Sequence, residues 1–258
     1  MIDYSRQNKK AWEYNAYEFW VTHSGSPEES AQKAKSDPSP RFKRYAQYFD
    51  AFQGVKIANI CGSCGKQAIA LALQGADVTI FDISEDNRRY ALETAECAGV
   101  PLRFEVGDVL EIDLAIFGQA FDVVFMEGGI LHYFHDIQQF MAIMHGLLKP
   151  SGKMILSDFH PFTKISDALD FQQPTMSYFS TDVFEGEMAH ARFFEKAIRE
   201  QMPLCSYRKY TLSEIINATI EVGFLLERFD EHPAWTNPDL PGEFTLVARK
   251  PPLAGGTA

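Results

Sequence analysis

The rhythm of apolar and polar positions along the chain changes near residue 55. Before that point, AWEYNAYEFW places Trp12, Tyr17 and Trp20 three to five residues apart, a helical spacing. A polar stretch punctuated by Pro27, Pro38 and Pro40 reads as short helix and turn, and Arg41 to Phe52 predicts one more helix. From Val55 onward, short apolar runs alternate with amphipathic ones. VKIANI predicts a first strand and KQAIALALQ a helix closed by Gly75. DVTIFD predicts the second strand. SEDNRRYALETAECA is the helix after it, with Ser84 as N-cap and Gly99 as its stop. PLRFEV, FDVVFM and KMILSD supply the third, fourth and fifth strands, and HDIQQFMAIMHGLL is a helix ended by the turn KPSG. Alternating βα units of this kind predict a parallel sheet with helices on both faces.

Beyond the fifth strand the repetition stops. Residues 160–209 are rich in Phe, Tyr and Met but have no clear period. Thr211-Leu-Ser-Glu214 then forms a capping box before IINATIEV, Gly223 ends that helix, and FLLERFDEH and EFTLVARK are two last strands joined through PAWTNPDLPG.

Composition narrows the class. A length of 258 residues suits one large domain with a cap better than two full domains, and an apolar fraction of 46% is globular rather than disordered. No run approaches the roughly 18 to 20 apolar residues of a membrane span, and MIDYSRQNKK lacks the apolar centre of a signal peptide, so a cytoplasmic location without a membrane partner is expected. The net charge of −11, without a long Lys/Arg run, argues against a nucleic-acid substrate. Cys61, Cys64, Cys97 and Cys205 do not form a secreted disulfide framework.

The chemistry concentrates at the strand ends, where doubly wound sheets bind ligands. The first strand runs into Asn59-Ile60-Cys61-Gly62-Ser63-Cys64-Gly65, whose small residues allow a sharp turn and close backbone approach to a ligand. The second strand ends in Asp82, a carboxylate able to accept from both hydroxyls of a ribose. The third leads into Gly107-Asp108, and the fourth ends in Met126-Glu127-Gly128-Gly129. In these residues the sequence resembles the class I S-adenosylmethionine-dependent methyltransferases that act on small molecules, over roughly residues 40–160 and again over 209–250. The resemblance implies a Rossmann-like, doubly wound α/β sheet of seven strands, mostly parallel with an antiparallel last strand, plus a helical N-terminal cap. It divides the chain into a cap segment at 1–50 and a methyltransferase domain at 51–258, with a cap insert at about 161–208.

The resemblance also assigns roles. The Cys61–Gly65 loop would hold the methionyl part of S-adenosylmethionine, Asp82 would bind the ribose, and Asp108 would flank the adenine. Asn59, Ile83, Val109, Glu127 and Gly128 complete the implied cofactor site, and S-adenosylhomocysteine is the implied product. One departure stands out. The family's first motif has an acidic residue and three alternating glycines, which align with Asn59, Cys61, Ser63 and Gly65. Cys and Ser are small enough for the loop, and the expectation is a backbone that avoids positive φ at both.

Other readings of the same residues remain open. Asp82 and Asp108 could cap the segments that follow them. A dinucleotide-dependent oxidoreductase also has strand, Gly-rich turn, helix and acidic residue, but the G-x-G-x-x-G spacing is not met. Cys61-Gly62-Ser63-Cys64 is a CxxC, which at a helix start could carry a lowered thiol pKa; no second pair completes a zinc site. A non-catalytic binder of the cofactor is a third possibility. For methyl transfer to an oxygen or nitrogen atom, or to a carbon, of a small-molecule acceptor, a base could assist. His160, in SDFHP, is the first candidate base and His132 the second, whereas His135 with Asp136 opens the next helix. Glu127 could steer a cationic acceptor. Trp12, Tyr17, Trp20 and the insert's Phe162, Met176, Tyr178, Phe179, Phe193 and Phe194 are available to line an acceptor pocket. The oligomeric state is left open.

Overall fold

Side chains of successive strand residues point to opposite faces of a sheet, and here both faces are buried. Ile57, Ile80, Phe104, Phe125 and Ile155 face one apolar layer, whereas Ala58, Ile60, Phe81, Val124, Met126 and Leu156 face the other. Such strands must be covered on both sides. The computed structural model describes residues 3–36, 40–164, 177–189, 191–235 and 237–253. Its central strands are β1 (Lys56–Ile60), β2 (Asp77–Asp82), β3 (Arg103–Val106), β4 (Phe121–Glu127) and β5 (Leu148–Phe159), which pair in parallel in the order 3-2-1-4-5. The sheet is completed by β8 (Leu225–Pro233) and β9 (Pro241–Arg249). β9 inserts antiparallel between β5 and β8, giving the seven-stranded order 3-2-1-4-5-9-8.

On the Ile57 face lie α4 (Pro40–Ala46), α5 (Lys66–Leu73) and α6 (Glu85–Ala98), which bury Tyr45, Leu71 and Ala91. On the other lie α8 (Ile137–Leu147) and α10 (Leu212–Glu221), which bury Phe140, Met144 and Ile215. The predicted punctuation is present. Ser84 Oγ accepts the Asn87 N–H at 3.2 Å, Gly99 ends α6 at φ 72°, and Thr211 with Glu214 forms a reciprocal capping box. Two details differ. A short α7 (Leu114–Phe117), capped by Asp113, precedes β4. The KPSG segment is absorbed into β5 with shifted register against β4, and Ser151 takes the positive φ (65°) that this requires.

The remaining elements gather over the carboxyl ends of the strands. α1 (Asp3–Trp12) buries Ser5, Asn8 and Ala11, its every-third-residue face. In the insert, β6 (Val183–Gly186) pairs antiparallel with β7 (Cys205–Arg208), with the short α9 (Lys196–Arg199) between them. Asn8 binds the β7 backbone as another strand would: its side-chain oxygen accepts from Ser206 N at 2.7 Å, and its amide donates to Ser206 O at 3.3 Å. α2 (Ala16–Ser24) and α3 (Pro27–Ser36) pack along α6. No helix among the described residues is long and apolar enough to cross a membrane.

Candidate active site

Between the strand ends and this covering layer lies a cavity of about 400 Å³, a size typical of small-ligand sites. Its floor is made by Asn59 and the Cys61–Cys64 turn after β1, Asp82 and Ile83 after β2, and Gly107, Asp108 and Val109 after β3. Glu127 and Gly128 complete it after β4. Every predicted cofactor residue therefore lines it except Gly65. Gly65 has a packing role: at φ 76°, an added Cβ would sit 2.8 Å from the Ala91 Cβ, so its absence lets α5 approach α6.

The turn itself corrects the sequence expectation. Cys61 and Ser63 both adopt φ 51°, in the left-handed region, at about 1–2 kcal/mol for each L-residue. Hydrogen bonds to β2 hold them there. Cys61 N donates to Phe81 O at 2.7 Å, prolonging the β1–β2 ladder, and Ser63 N donates to Asp82 Oδ2 at 3.0 Å. The turn keeps the shape that glycines would give it, under strain that tertiary bonds offset.

Asp82 is the hub of this corner. Its Oδ1 accepts from Ser84 N and from the Asn87 side-chain amide, each at 3.1 Å, and Asn87 in turn accepts the Trp20 indole N–H at 2.8 Å. Burial raises the Asp82 carboxyl above its ordinary value, with these donors pulling the other way. Asp108 uses Oδ1 to cap the following turn, accepting from Leu110 N at 3.0 Å, as the capping alternative anticipates. Its Oδ2 is buried without a protein donor. Asn59 Oδ1, Ser63 Oγ and Gln67 Oε1, all on residues that line the cavity, are buried and unbonded in the same way. A buried acceptor left without a donor costs about 1–3 kcal/mol, so this cluster fits a ligand carrying amino and hydroxyl groups.

The thiols are not activated. Burial, followed by the charges of Asp82, Asp108 and Asp158, pushes Cys61 well up, and burial pushes Cys64 up to about 12. All four cysteines are free, and no His/Cys/Asp/Glu group suited to a metal ion occurs among the described residues. The redox reading of the CxxC loses its basis, since thiolate character is what such chemistry needs.

The two histidines chosen as bases are not brought into the lining. His160 is 1% exposed; its backbone N–H continues the pairing with β9 by donating to Gly242 O at 2.9 Å. Nδ1 accepts from Phe162 N at 3.2 Å, and Nε2 lies 3.0 Å from Glu231 Oε1 on β8, away from the cavity over β1 and β4. His132 packs among Tyr133, Phe159 and Tyr207, and Tyr133 takes the position facing the cavity. His135 stacks on Tyr4 at 3.8 Å while Asp136 caps α8, the helix-opening arrangement expected of that pair.

The roof divides the predicted aromatics. Trp12, Trp20 and Phe193 line the cavity, joined by Phe19, which was not among them. Phe194 stacks on Phe19, Tyr17 packs on Tyr90 outside, and Phe162, Tyr178 and Phe179 form a separate aromatic group beside His160. Met176 lies outside the described residues. Sequence reasoning missed Ser5, Asn8, Gln67, Ala189 and Arg192. The buried polar positions on α1 and on the first turn of α5 were the available signal for three of them.

Residues 57–152 match the family model of a methyltransferase domain. Over those residues the chain carries a methyltransferase domain. Several solved methyltransferases share its fold. An S-adenosylmethionine-dependent methyltransferase from Mesorhizobium loti is 19% identical with a TM-score of 0.61, over 84% of this chain and 100% of that one. Magnesium protoporphyrin IX methyltransferase from Synechocystis PCC 6803, with bound S-adenosylhomocysteine, is 16% identical with a TM-score of 0.60, over 96% and 100%. The 1,6-didemethyltoxoflavin-N1-methyltransferase of Burkholderia thailandensis is 16% identical with a TM-score of 0.57, over 96% and 89%. At such identities the likeness speaks for the fold. No curated protein sequence matches the chain. The methyltransferase sheet, with its antiparallel β9 between β5 and β8, is the one that the resemblance implied.

Proposed function

We propose that this methyltransferase holds S-adenosylmethionine across the ends of β3, β2 and β1 and transfers its methyl group to an oxygen or nitrogen atom, or a carbon, of a small-molecule acceptor. The observation that carries the reading is the set of buried, unbonded acceptors on residues that line one cavity, from Asp108 Oδ2 through Ser63 Oγ to Asn59 Oδ1. In this reading Asp108 takes the adenine amino group and Asp82 the ribose hydroxyls. Ile83 and Val109 flank the rings. The Cys61–Ser63 turn and Gln67 hold the methionyl end, and Asn59 fixes the turn from below by donating to Phe125 O at 3.3 Å. The bound cofactor supplies a methyl group already activated on a sulfonium; the protein's share is to align, to exclude water and to take a proton from a protic acceptor.

Residues 1–50 and about 161–208 act as the cap, supported by the cavity's roof of Trp12, Trp20, Ala189, Arg192 and Phe193. The Burkholderia methyltransferase has 1,6-didemethyltoxoflavin bound together with S-adenosylhomocysteine, which favours a small-molecule acceptor here. A net charge of −11 and unpaired cysteines fit a cytoplasmic enzyme with no nucleic-acid partner. The test is transfer of labelled methyl from S-adenosylmethionine into a deproteinised metabolite extract, with products resolved by mass spectrometry. Label in a small organic product, formed only with active protein, is the expected result. Label confined to protein or nucleic acid in a whole lysate would overturn the acceptor class.

A further inference from the structure

Each carboxylate that lines the cavity accepts a hydrogen bond from the protein, whereas no carboxylate engages the two cations described there. Asp82 accepts from Ser63, Ser84 and Asn87, Asp108 from Leu110, and Glu127 from the Tyr45 hydroxyl at 3.2 Å. The cations are Lys66 and Arg192. Neither forms an ion pair among the described residues. Arg192 stands apart in this respect, because every other arginine whose side chain is described pairs with an Asp or a Glu.

The backbone that carries Arg192 is fixed by its neighbours. It is a single 3-10 turn, Ala191–Phe193, in the cap insert. Ala191 N donates to Met188 O at 2.9 Å, and the Ala191 side chain is buried in a cluster with Ala11, Met202 and Cys205. Phe193 meets the His23 ring edge-on at 5.1 Å, and the Arg192 guanidinium lies over the Phe193 ring, 4.9 Å from its centre, a placement that favours a cation. The turn thus anchors itself through Ala191 and presents Arg192 and Phe193 to the cavity. Both side chains are also exposed, so they stand where the cavity opens to solvent.

The two cations occupy opposite walls. Lys66 opens α5 directly after the Cys61–Gly65 turn, on the floor, whereas Arg192 belongs to the roof. S-adenosylmethionine has a single carboxylate, at its methionyl end, which in the proposed pose rests on that turn beside Lys66. One anion leaves one cation over. We propose that Arg192 recognises a carboxylate on the methyl acceptor, its guanidinium donating two parallel N–H bonds to the two oxygens while Phe193 flanks the rest of the acceptor. The inference rests on the proposed S-adenosylmethionine site. A guanidinium offers a planar pair of donors that matches a carboxylate edge to edge and charge to charge; a phosphate dianion would leave half its charge uncovered by this one side chain.

The test uses the full chain saturated with S-adenosylhomocysteine and titrated calorimetrically with phenylacetate, phenylacetamide and phenethylamine. The acid should bind about ten-fold more tightly than the amide of the same shape, the low end for a charge-assisted pair because Arg192 is exposed. Added salt should shrink that preference. Arg192→Gln should abolish it while leaving affinity for S-adenosylhomocysteine in place, and Arg192→Lys should keep part of it, retaining the charge without the fork. Lys66→Gln should do the reverse, weakening S-adenosylhomocysteine and sparing the preference. Equal binding of acid and amide, preference for the amine, or no binding of the acid to the loaded protein would overturn the assignment. So would an Arg192→Gln protein that binds S-adenosylhomocysteine more weakly yet still prefers the acid, since Arg192 would then serve the cofactor's carboxylate. Failure of S-adenosylhomocysteine to bind the wild-type chain would remove the cofactor reading and this inference with it.

Discussion

Ser63→Gly separates the strain in the cofactor turn from its chemistry. Ser63 sits at φ 51°, where an L-residue is disfavoured by about 1–2 kcal/mol and glycine is not. Against that gain, glycine's freedom in the unfolded chain costs about 0.5–1 kcal/mol. Ser63 Oγ is also buried without a partner. Because the residue is only partly buried, removing that hydroxyl is worth the low end of the usual range, about 1 kcal/mol. The sum is a stabilisation of the ligand-free protein by about 1–2 kcal/mol, or about 3–6 °C in melting temperature for a domain of this size. Ser63→Ala keeps the strain and loses only the hydroxyl, so it should gain about 1 kcal/mol or less. Cofactor affinity should move the other way, falling about 2- to 10-fold in both variants as one neutral hydrogen bond is lost. Differential scanning calorimetry with and without S-adenosylhomocysteine reads both effects. A Ser63→Gly protein that melts at or below the wild-type temperature would refute the strain argument, and unchanged affinity would remove Ser63 from the ligand's contacts.

Other expectations follow from the same geometry. Asp82→Ala should weaken S-adenosylhomocysteine binding by about 10- to 100-fold, the range for a charged acceptor, as read by calorimetry on a variant whose fold is confirmed by circular dichroism. Because burial raises the Asp82 carboxyl, the native state keeps a proton that the unfolded chain has already lost. Its stabilising contribution is therefore full below the unfolded value and fades as pH rises through the folded one, whereas a ligand donating hydroxyls needs the ionised form. Affinity should thus decline on acidification before an ordinary carboxylate would titrate, and a flat pH profile down to about pH 4 would contradict this. His160→Ala should cost about 1–3 kcal/mol in a denaturant titration, through its lost bonds to Phe162 and Glu231, and leave methyl transfer nearly intact. A large loss of turnover in stable protein would return His160 to the chemistry. With iodoacetamide at neutral pH, exposed Cys97 should be alkylated well before Cys61 or Cys64, whose thiols burial holds protonated; mass mapping that finds Cys61 first would revive a redox role.

What was legible in the sequence is what local chemistry decides. Ser84, Gly99 and the Thr211–Glu214 box are read within a turn of the chain, and alternation within short apolar runs is enough to place β1 to β5. The strand-end residues Asp82, Asp108 and Glu127 were legible because a parallel sheet puts all such ends on one edge. The conformation of Cys61 and Ser63 was not, since the left-handed turn is imposed by bonds to Phe81 and Asp82 from another strand. Asn8 reaches the cavity through contacts distant in sequence, pairing with Ser206, 198 positions away, and donating to Tyr133 O. His160 misled for a geometric reason. It follows a strand end, but β5 lies beyond β4, and the chain past Phe159 stays bonded to β9, which carries the imidazole toward β8. The β6–β7 pair was hidden as well, because VFEG and CSYR are too short and too mixed in polarity to stand out in an aromatic stretch.

The central claim, that the cavity over β1, β2 and β3 is a site for S-adenosylmethionine, is tested most directly by calorimetric titration of the purified chain with S-adenosylmethionine and S-adenosylhomocysteine, with NADH and NADPH alongside. The account predicts single-site binding of the two adenosyl ligands and none of the nicotinamides. Binding of a nicotinamide alone, or no binding at all by a folded sample, would contradict it.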